Sequence, residues 1–196
     1  PVIVTIHLLL GMALLALVPW LGARLSDHPP VPRSASVLLI PASLATVVLA
    51  IQIALGGWVS TNYAALACTD FPLCQGELFP QMDFANGFTL WRDLGMTAHG
   101  DYLPFPALTA IHWTHRAFAF IVVASVAWVA LRAFKVDVLR KTARGLLVMI
   151  ALQFAIGMST VFLNLPLALA VAHNGGAALL VILLVMLNHK IRTVQR

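Results

Sequence analysis

The sequence predicts an all-α, polytopic membrane protein with five transmembrane helices, the last four of which form an antiparallel four-helix bundle. Three observations lead to this fold class. Of the 196 residues, 61% are hydrophobic and only 10% are charged, whereas a soluble globular domain carries about 25% charged residues. Five apolar stretches are long enough to cross a bilayer as helices. Basic and acidic residues also concentrate in different loops.

The five predicted spans follow one another from the first residues to the basic C-terminus. Helices that are apolar on every side show little amphipathic periodicity, and these spans show little. The five spans together contain a single Lys, Arg, Asp or Glu residue, which is Arg116 in the third span. The spans are residues 2–23, 37–59, 107–131, 145–163 and 166–187.

Loop charges predict the orientation of these helices. Residues 132–144 carry five Lys or Arg against one Asp, whereas residues 60–106 carry five Asp or Glu against one Arg. Because Lys and Arg concentrate in cytoplasmic loops, we expect the long loop 60–106 and the N-terminus outside and the C-terminus inside. The expected location is the cytoplasmic (inner) membrane.

Two internal repeats organise the spans. Residues 50–56 read AIQIALG and residues 151–157 read ALQFAIG, so a glutamine and a glycine recur at the same spacing. His7 and His173 each follow a proline by six or seven residues. The repeats predict one complete four-helix unit with one additional helix before it.

This repeat divides the chain into four parts. The first helix is expected to be the last helix of a truncated N-terminal half, followed by the complete four-helix unit. The predicted parts are the helix 1–24, a cytoplasmic loop 25–36, the C-terminal unit 37–190 and a cytoplasmic tail 191–196.

Four of the seven histidines lie within predicted spans, where an ionisable residue is costly and points to function. His7, His115 and His173 each lie about 10 Å below the outer surface, at a rise of about 1.5 Å per residue. His115 and His173 occupy alternate helices, which can face each other across a bundle and ligate one haem iron. The alternative is hydrogen bonding to neighbouring helices. The remaining histidines are expected to be solvated: His28, His99 and His189.

Arg116 and His112 flank His115 on the third span. Arg116 either pairs with a haem propionate or extends to the membrane surface. His112 shares a helical face with His115 and is left open as a supporting partner, a propionate contact or a packing residue. A zinc site at this His-x-x-His pair is disfavoured because no third ligand is evident.

Cys68 and Cys74 lie on the long loop, on the side predicted to face an oxidising compartment. Their spacing and the intervening Pro72 allow a small closed loop. The pair can be a structural staple, a redox-active pair or two free thiols, and the sequence leaves these alternatives open.

Taken together, these segments resemble the haem A synthase family, over nearly the whole chain and in the right order. Within the first span, the sequence TIHLLLG around His7 is similar to the family's fourth helix. The other motifs that carry the resemblance are LGGWV at 55–59, CTDFPLCQG at 68–76, HWTHR at 112–116, LNLP at 163–166 and AHN at 172–174.

The resemblance implies an oxidoreductase that converts a haem O methyl group into the formyl group of haem A. The family has eight helices in two similar halves, which implies that His115 and His173 are the axial ligands of a haem b. His7 would be a ligand of the substrate-side haem, but its partner histidine is not in this sequence. His112 stands where the family's other half has an acidic residue. The chain is therefore expected to be incomplete as an enzyme.

The expected partners are membrane lipid, the haem O-producing enzyme and, less specifically, further copies of the chain. Nucleic acid is excluded as a partner, because the basic residues that give the net charge of +5 are concentrated in the predicted cytoplasmic loops. Two alternative functions share these features: a non-enzymatic b-type cytochrome and a quinone-coupled thiol oxidoreductase. A transporter is disfavoured, since only Pro41 suggests a broken helix.

Overall fold

A computed structural model describes residues 1–26 and 29–193, and within this part of the chain the regular structure is helical, without named strands. Five helices are long and apolar enough to cross a membrane, which confirms the predicted spans. His28 and residues 194–196 of the predicted tail lie outside the described residues. The helices are α1 (Val2–Arg24), α2 (Leu39–Thr61), α3 (Phe84–Gly87), α4 (Phe105–Phe134), α5 (Arg140–Phe162) and α6 (Leu167–Arg192).

The helices extend further into the basic segments than the hydropathy pattern predicts. The α5 helix starts at Arg140 rather than near residue 145, and α6 continues to Arg192 rather than ending near residue 187. Arg and Lys are good helix formers, and their long side chains reach polar surroundings from within a helix. Apolarity therefore ends at these residues while the backbone hydrogen bonding continues.

The four helices of the C-terminal unit form a closed bundle. The α4 helix packs against α2 and α5, and α6 packs against α5 and α2. Consequently α4 and α6 are diagonal neighbours, as expected for alternate helices of an up-down bundle. The α1 helix packs on the outside, against α2 and α6.

The main apolar core fills the end of the bundle that carries the basic residues, which we call the basic end. On α4 its buried residues begin at Val122, and on α6 they begin at Leu180. These positions lie seven residues, about two helical turns, beyond His115 and His173. We call the opposite end, where α4 and α6 begin, the histidine end. The tightly packed core thus stops two turns short of both imidazoles.

A polar clamp joins α2 to α6 within the basic half. The Oγ of Ser43 donates to Oδ1 of Asn188 at 3.0 Å. The Nδ2 of Asn188 lies within hydrogen-bonding distance of Ala42 O at 3.2 Å, Thr46 Oγ1 at 3.1 Å and Leu184 O at 2.9 Å. Asn188 is therefore fully satisfied inside an otherwise apolar helix interface, as a polar group within a membrane must be.

We expect Asn188→Leu to lower the stability of the protein by about 0.5–2 kcal/mol, because interhelical hydrogen bonds in membranes contribute amounts of this order. Ser43→Ala removes one of the four contacts and should have a smaller effect. Unfolding in detergent with increasing denaturant measures both. Equal stability of Asn188→Leu and the parent protein would contradict the clamp.

Candidate functional site

The two histidines predicted as a pair both lie at the histidine end of the bundle. His115 is on α4 and His173 is on α6, the diagonal helices. Each ring lies against a glycine of the preceding long helix, which is α2 for His115 and α5 for His173. A Cβ added to Gly56 would lie 3.2 Å from Cε1 of His115, and one added to Gly157 would lie 2.9 Å from Cε1 of His173. An alanine at either glycine would therefore press on the imidazole.

A glutamine one turn before each glycine contacts the same histidine. Nε2 of Gln52 donates to the carbonyl oxygen of His115 at 3.1 Å and lies 3.2 Å from its Nδ1. Nε2 of Gln153 donates to the carbonyl oxygen of His173 at 2.9 Å. The repeated motif thus places one Gln and one Gly against each histidine. The repeat alone gives these glutamines no predicted role, although a shared polar residue within two apolar spans is a signal for one.

The residues at this end fit a haem held by two histidines. Diagonal helices carry the two imidazoles, so the pair could ligate one haem iron from two sides. Nδ1 of His173 is buried without a hydrogen-bond partner. No residue between 113 and 121 on α4 is fully buried, and on α6 only Gly176 is buried before Leu180. The packing at the level of the two imidazole rings is therefore compatible with a bulky planar group.

The two cysteines form a disulfide. The Cys68–Cys74 bond measures 2.01 Å between sulfurs, and the Cα atoms are 4.7 Å apart. The alternative of two free thiols is therefore wrong, whereas the staple and the redox-active pair both require this bond. We call residues 67–76 the disulfide loop.

The disulfide loop is attached to α4 through backbone and side-chain hydrogen bonds. The backbone N–H of Cys68 donates to Nδ1 of His112 at 3.1 Å, and His112 is 4% exposed. Nε2 of Gln75 donates to Oγ1 of Thr109 at 2.9 Å. Because Nδ1 of His112 accepts, the neutral ring carries its proton on Nε2. His112 therefore anchors the loop, and its assignment to a cofactor stays a prediction.

Arg116 holds the same loop from one turn further along α4. Its Nη2 donates to the carbonyl oxygens of Asp70 at 2.7 Å and Leu73 at 3.0 Å, and its guanidinium carbon lies 5.2 Å from the centre of the Phe71 ring. Its Nη1 is buried without a partner. Arg116 is thus bound to protein groups rather than simply extended to the membrane surface. The remaining N–H donors suit a carboxylate such as a haem propionate.

The carboxylate of Asp70 closes the turn within the disulfide loop. It accepts from the backbone N–H of Gly76 at 2.8 Å and of Gln75 at 2.7 Å. The Gly76 hydrogen bond lowers the pKa of Asp70 most, desolvation opposes it, and the Gln75 amide and Arg116 also lower it. A lowered carboxyl pKa adds stability that is present above the ordinary value and lost as pH falls through the folded value. The turn is therefore fully held at neutral pH.

The remaining histidines lie apart from this pair. His7 occupies an exposed position on α1, and none of the described contacts joins it to the other histidines. His99 is exposed in the long connection, and His189 is partly buried near the end of α6. The predicted roles of His7, His115, His173, Arg116 and His112 toward haem remain predictions.

Comparison with known proteins identifies similar sequences. A family model described as cytochrome oxidase assembly protein (COX15-CtaA) matches residues 1–185. A protein named heme A synthase from Shewanella oneidensis is 37% identical over 191 residues, which cover 96% of this chain and 58% of that protein.

Two further proteins of the same name are similar at lower identity. The one from Methylobacterium nodulans is 29% identical over 199 residues, covering 100% of this chain and 52% of that protein. The one from Nitrosospira multiformis is 30% identical over 195 residues, covering 96% and 51%. The chain spans about half the length of these curated relatives.

We expect His112→Ala to speed reduction of the disulfide by a water-soluble thiol roughly fivefold, since one lost net hydrogen bond corresponds to about 1 kcal/mol of local opening. His112→Asn keeps an acceptor near the position of Nδ1 and should retain the parent rate. Thiol release over time measures both rates. Identical rates of disulfide reduction in the parent, Ala and Asn proteins would refute the role of His112 as an anchor of the loop.

Proposed function

The chain belongs to the COX15-CtaA family of cytochrome oxidase assembly proteins, and we propose that it is part of a membrane haem A synthase. The reaction is the oxidation of a haem O methyl group to the formyl group of haem A. Within it, this part of the protein holds a haem b between His115 and His173 for electron transfer. The observation that carries the proposal is that two diagonal helices each place one imidazole against a glycine at the same end of the bundle.

A haem ligated by two histidines supplies reversible one-electron transfer when it is bound. The protein's own contribution is placement. His115 and His173 present neutral ring nitrogens from diagonal helices, and the glycines beneath them let α2 and α5 approach closely. The buried Nη1 of Arg116 offers a donor to a propionate at the level of the disulfide loop.

The proposal extends to substrate and topology. His7 would be a ligand of the substrate-side haem, and its exposed position on α1 leaves the ring accessible. The basic residues of 132–144 and the acidic residues of 60–106 lie at opposite ends of the bundle, which supports a cytoplasmic C-terminus and an outward long connection in a bacterial inner membrane. Membrane lipid, a haem O-producing enzyme and further copies of the chain are the proposed partners.

The protein purified in detergent should show a six-coordinate, low-spin haem spectrum in the oxidised and dithionite-reduced states. His115→Ala or His173→Ala should remove it, because one axial ligand is lost. The exposed His99→Ala is the matched control and should leave the spectrum unchanged. Well-folded parent protein without any haem would refute the proposal.

Product analysis distinguishes a synthase from a b-type cytochrome, which would use the same histidine pair. Supplied with haem O, the full-length protein should yield haem A. Bound haem b without haem A formation would favour the cytochrome.

A thiol oxidoreductase is a second candidate because His112 attaches the disulfide directly to the haem-binding helix. If the bond is an essential redox group, the double variant Cys68→Ser, Cys74→Ser should lose activity at least tenfold while retaining haem. If the bond is instead a structural staple, most activity should remain, with lower resistance to heat. Haem A yield and thermal unfolding of the two proteins measure this.

A further inference from the structure

A cavity lies between α1, α2 and α6 at the basic end of the fold. Its volume is about 260 Å³, the space of roughly nine water molecules in the liquid. Trp20 of α1 lines one side, and residues of α2 and α6 line the others. The two imidazoles lie at the opposite end of the bundle, so the haem proposed there does not occupy this space.

The lining of the cavity changes from charged to apolar along α6. His189 and Arg192 line the part nearest the end of the helix, whereas Val185 lines the part that lies further inside. Arg192 and Val185 are seven residues apart, which is about 10 Å along the helix. Among the described residues that line the cavity, none is acidic. This gradient favours a ligand with an anionic group at one end and apolar chains at the other.

The middle of the cavity is lined by the polar clamp between α2 and α6. Ser43, Thr46 and Asn188 all line it and are joined to one another by hydrogen bonds. Removing an oxygen of a ligand from water costs less against polar groups than against an apolar wall. The clamp therefore suits the ester groups that connect a phosphate to acyl chains.

Two Trp–Arg pairs indicate that the cavity lies at the level of the membrane surface. The guanidinium carbon of Arg24 lies 5.1 Å from the centre of the Trp20 ring, and that of Arg132 lies 5.3 Å from the centre of the Trp128 ring. Both arginines lie in the last turn of a helix that ends at the basic end. Trp and Arg near the ends of spanning helices anchor them at the interface. Because Trp20 also lines the cavity, Arg24 adds a positive charge to its wall.

An exposed apolar stripe continues from the cavity along α2. Leu44, Val47 and Ile51 follow one another at helical spacing, with exposed fractions of 58%, 56% and 44%. Val47 also lines the cavity. An acyl chain can therefore lie along this stripe while its headgroup stays in the cavity.

We propose that this cavity binds the headgroup of an anionic glycerophospholipid, with the phosphate at Arg192 and an acyl chain along the stripe on α2. A guanidinium binds a phosphate through two parallel hydrogen bonds, and basic pockets between helices on the cytoplasmic side bind acidic headgroups. The inference goes beyond the proposed function and rests only on its orientation, in which the basic end faces the cytoplasm. Loss of haem from the histidine end would leave the lipid site unchanged.

The experiment titrates lipid into the protein purified in detergent. The probes are dioleoyl phosphatidylglycerol, which is anionic, and dioleoyl phosphatidylcholine, which has the same chains and no net charge. Inorganic phosphate is the third probe and tests an anion without acyl chains. Native mass spectrometry counts the retained lipids, and the rise of the unfolding temperature with ligand concentration gives the apparent affinity. An ionic strength of about 0.15 M screens exposed charges more than about 8 Å away.

The variants remove one positive charge each from the same end of the protein. Arg192→Gln changes the cavity, and the side chain is exposed, so the fold should be retained. Arg144→Gln is the matched control, because Arg144 is exposed on α5, which packs against α4 and α6. Gel filtration and the unfolding temperature without lipid verify that both variants are folded.

We expect the parent protein to bind phosphatidylglycerol more tightly than phosphatidylcholine and to respond little to inorganic phosphate. Arg192→Gln should weaken phosphatidylglycerol binding about fivefold, the usual contribution of one Arg to binding an anionic lipid surface. Adding Arg24→Gln should weaken it further. Phosphatidylcholine binding should not change in either variant, and Arg144→Gln should bind both lipids as the parent does.

Three results would overturn the inference. Equal affinity of the parent for the two lipids would show that the headgroup charge is not recognised. An equal loss in Arg144→Gln and Arg192→Gln would show that only the overall charge of this end matters. Inorganic phosphate that binds as tightly as phosphatidylglycerol would show an anion site that does not use the acyl chains. None of these results depends on the presence of haem, so the proposed function is tested separately.

Discussion

The contact on which the histidine end depends is the close approach of each imidazole to a glycine of the preceding long helix, α2 or α5. Any side chain at Gly56 or Gly157 would meet the ring at 3.2 or 2.9 Å, tighter than ordinary van der Waals contact. Close approach of the backbones also brings the glutamine one turn earlier within reach of the histidine carbonyl. In a membrane, where helices gain little from hydrophobic burial against one another, such small-residue contacts and interhelical hydrogen bonds supply much of the specificity.

The disulfide loop follows from the same helix that carries His115. Thr109, His112 and Arg116 lie on one face of α4 and all bind the loop. A loop next to an apolar bundle needs partners for its backbone groups, and this polar face supplies them. The ionisable residues of α4 are thereby divided between two tasks, with one histidine directed into the bundle and the other directed to the loop.

The five spans and the diagonal placement of His115 and His173 could be predicted from the sequence, because apolar length and up-down topology determine both. The Gln–Gly repeat was visible in the sequence. The histidines that it contacts were not, since periodicity does not say which neighbouring helix a side chain faces. The role of His112 could not be predicted, because Cys68 N–H is a backbone donor that any residue type provides. The extension of α5 to Arg140 was missed because hydropathy, unlike backbone hydrogen bonding, ends at charged residues.

The two copies of the repeat make similar contacts to their histidines, but the helices that carry those histidines differ in how densely they are packed. The first turns of α4 are packed beneath the long connection, and five residues from Ala107 to His112 are buried. In contrast, α6 has no buried residue before Gly176, three positions beyond His173. Local stability follows the density of buried contacts. His115 therefore lies on the more densely packed segment, and His173 lies on the segment with fewer buried residues.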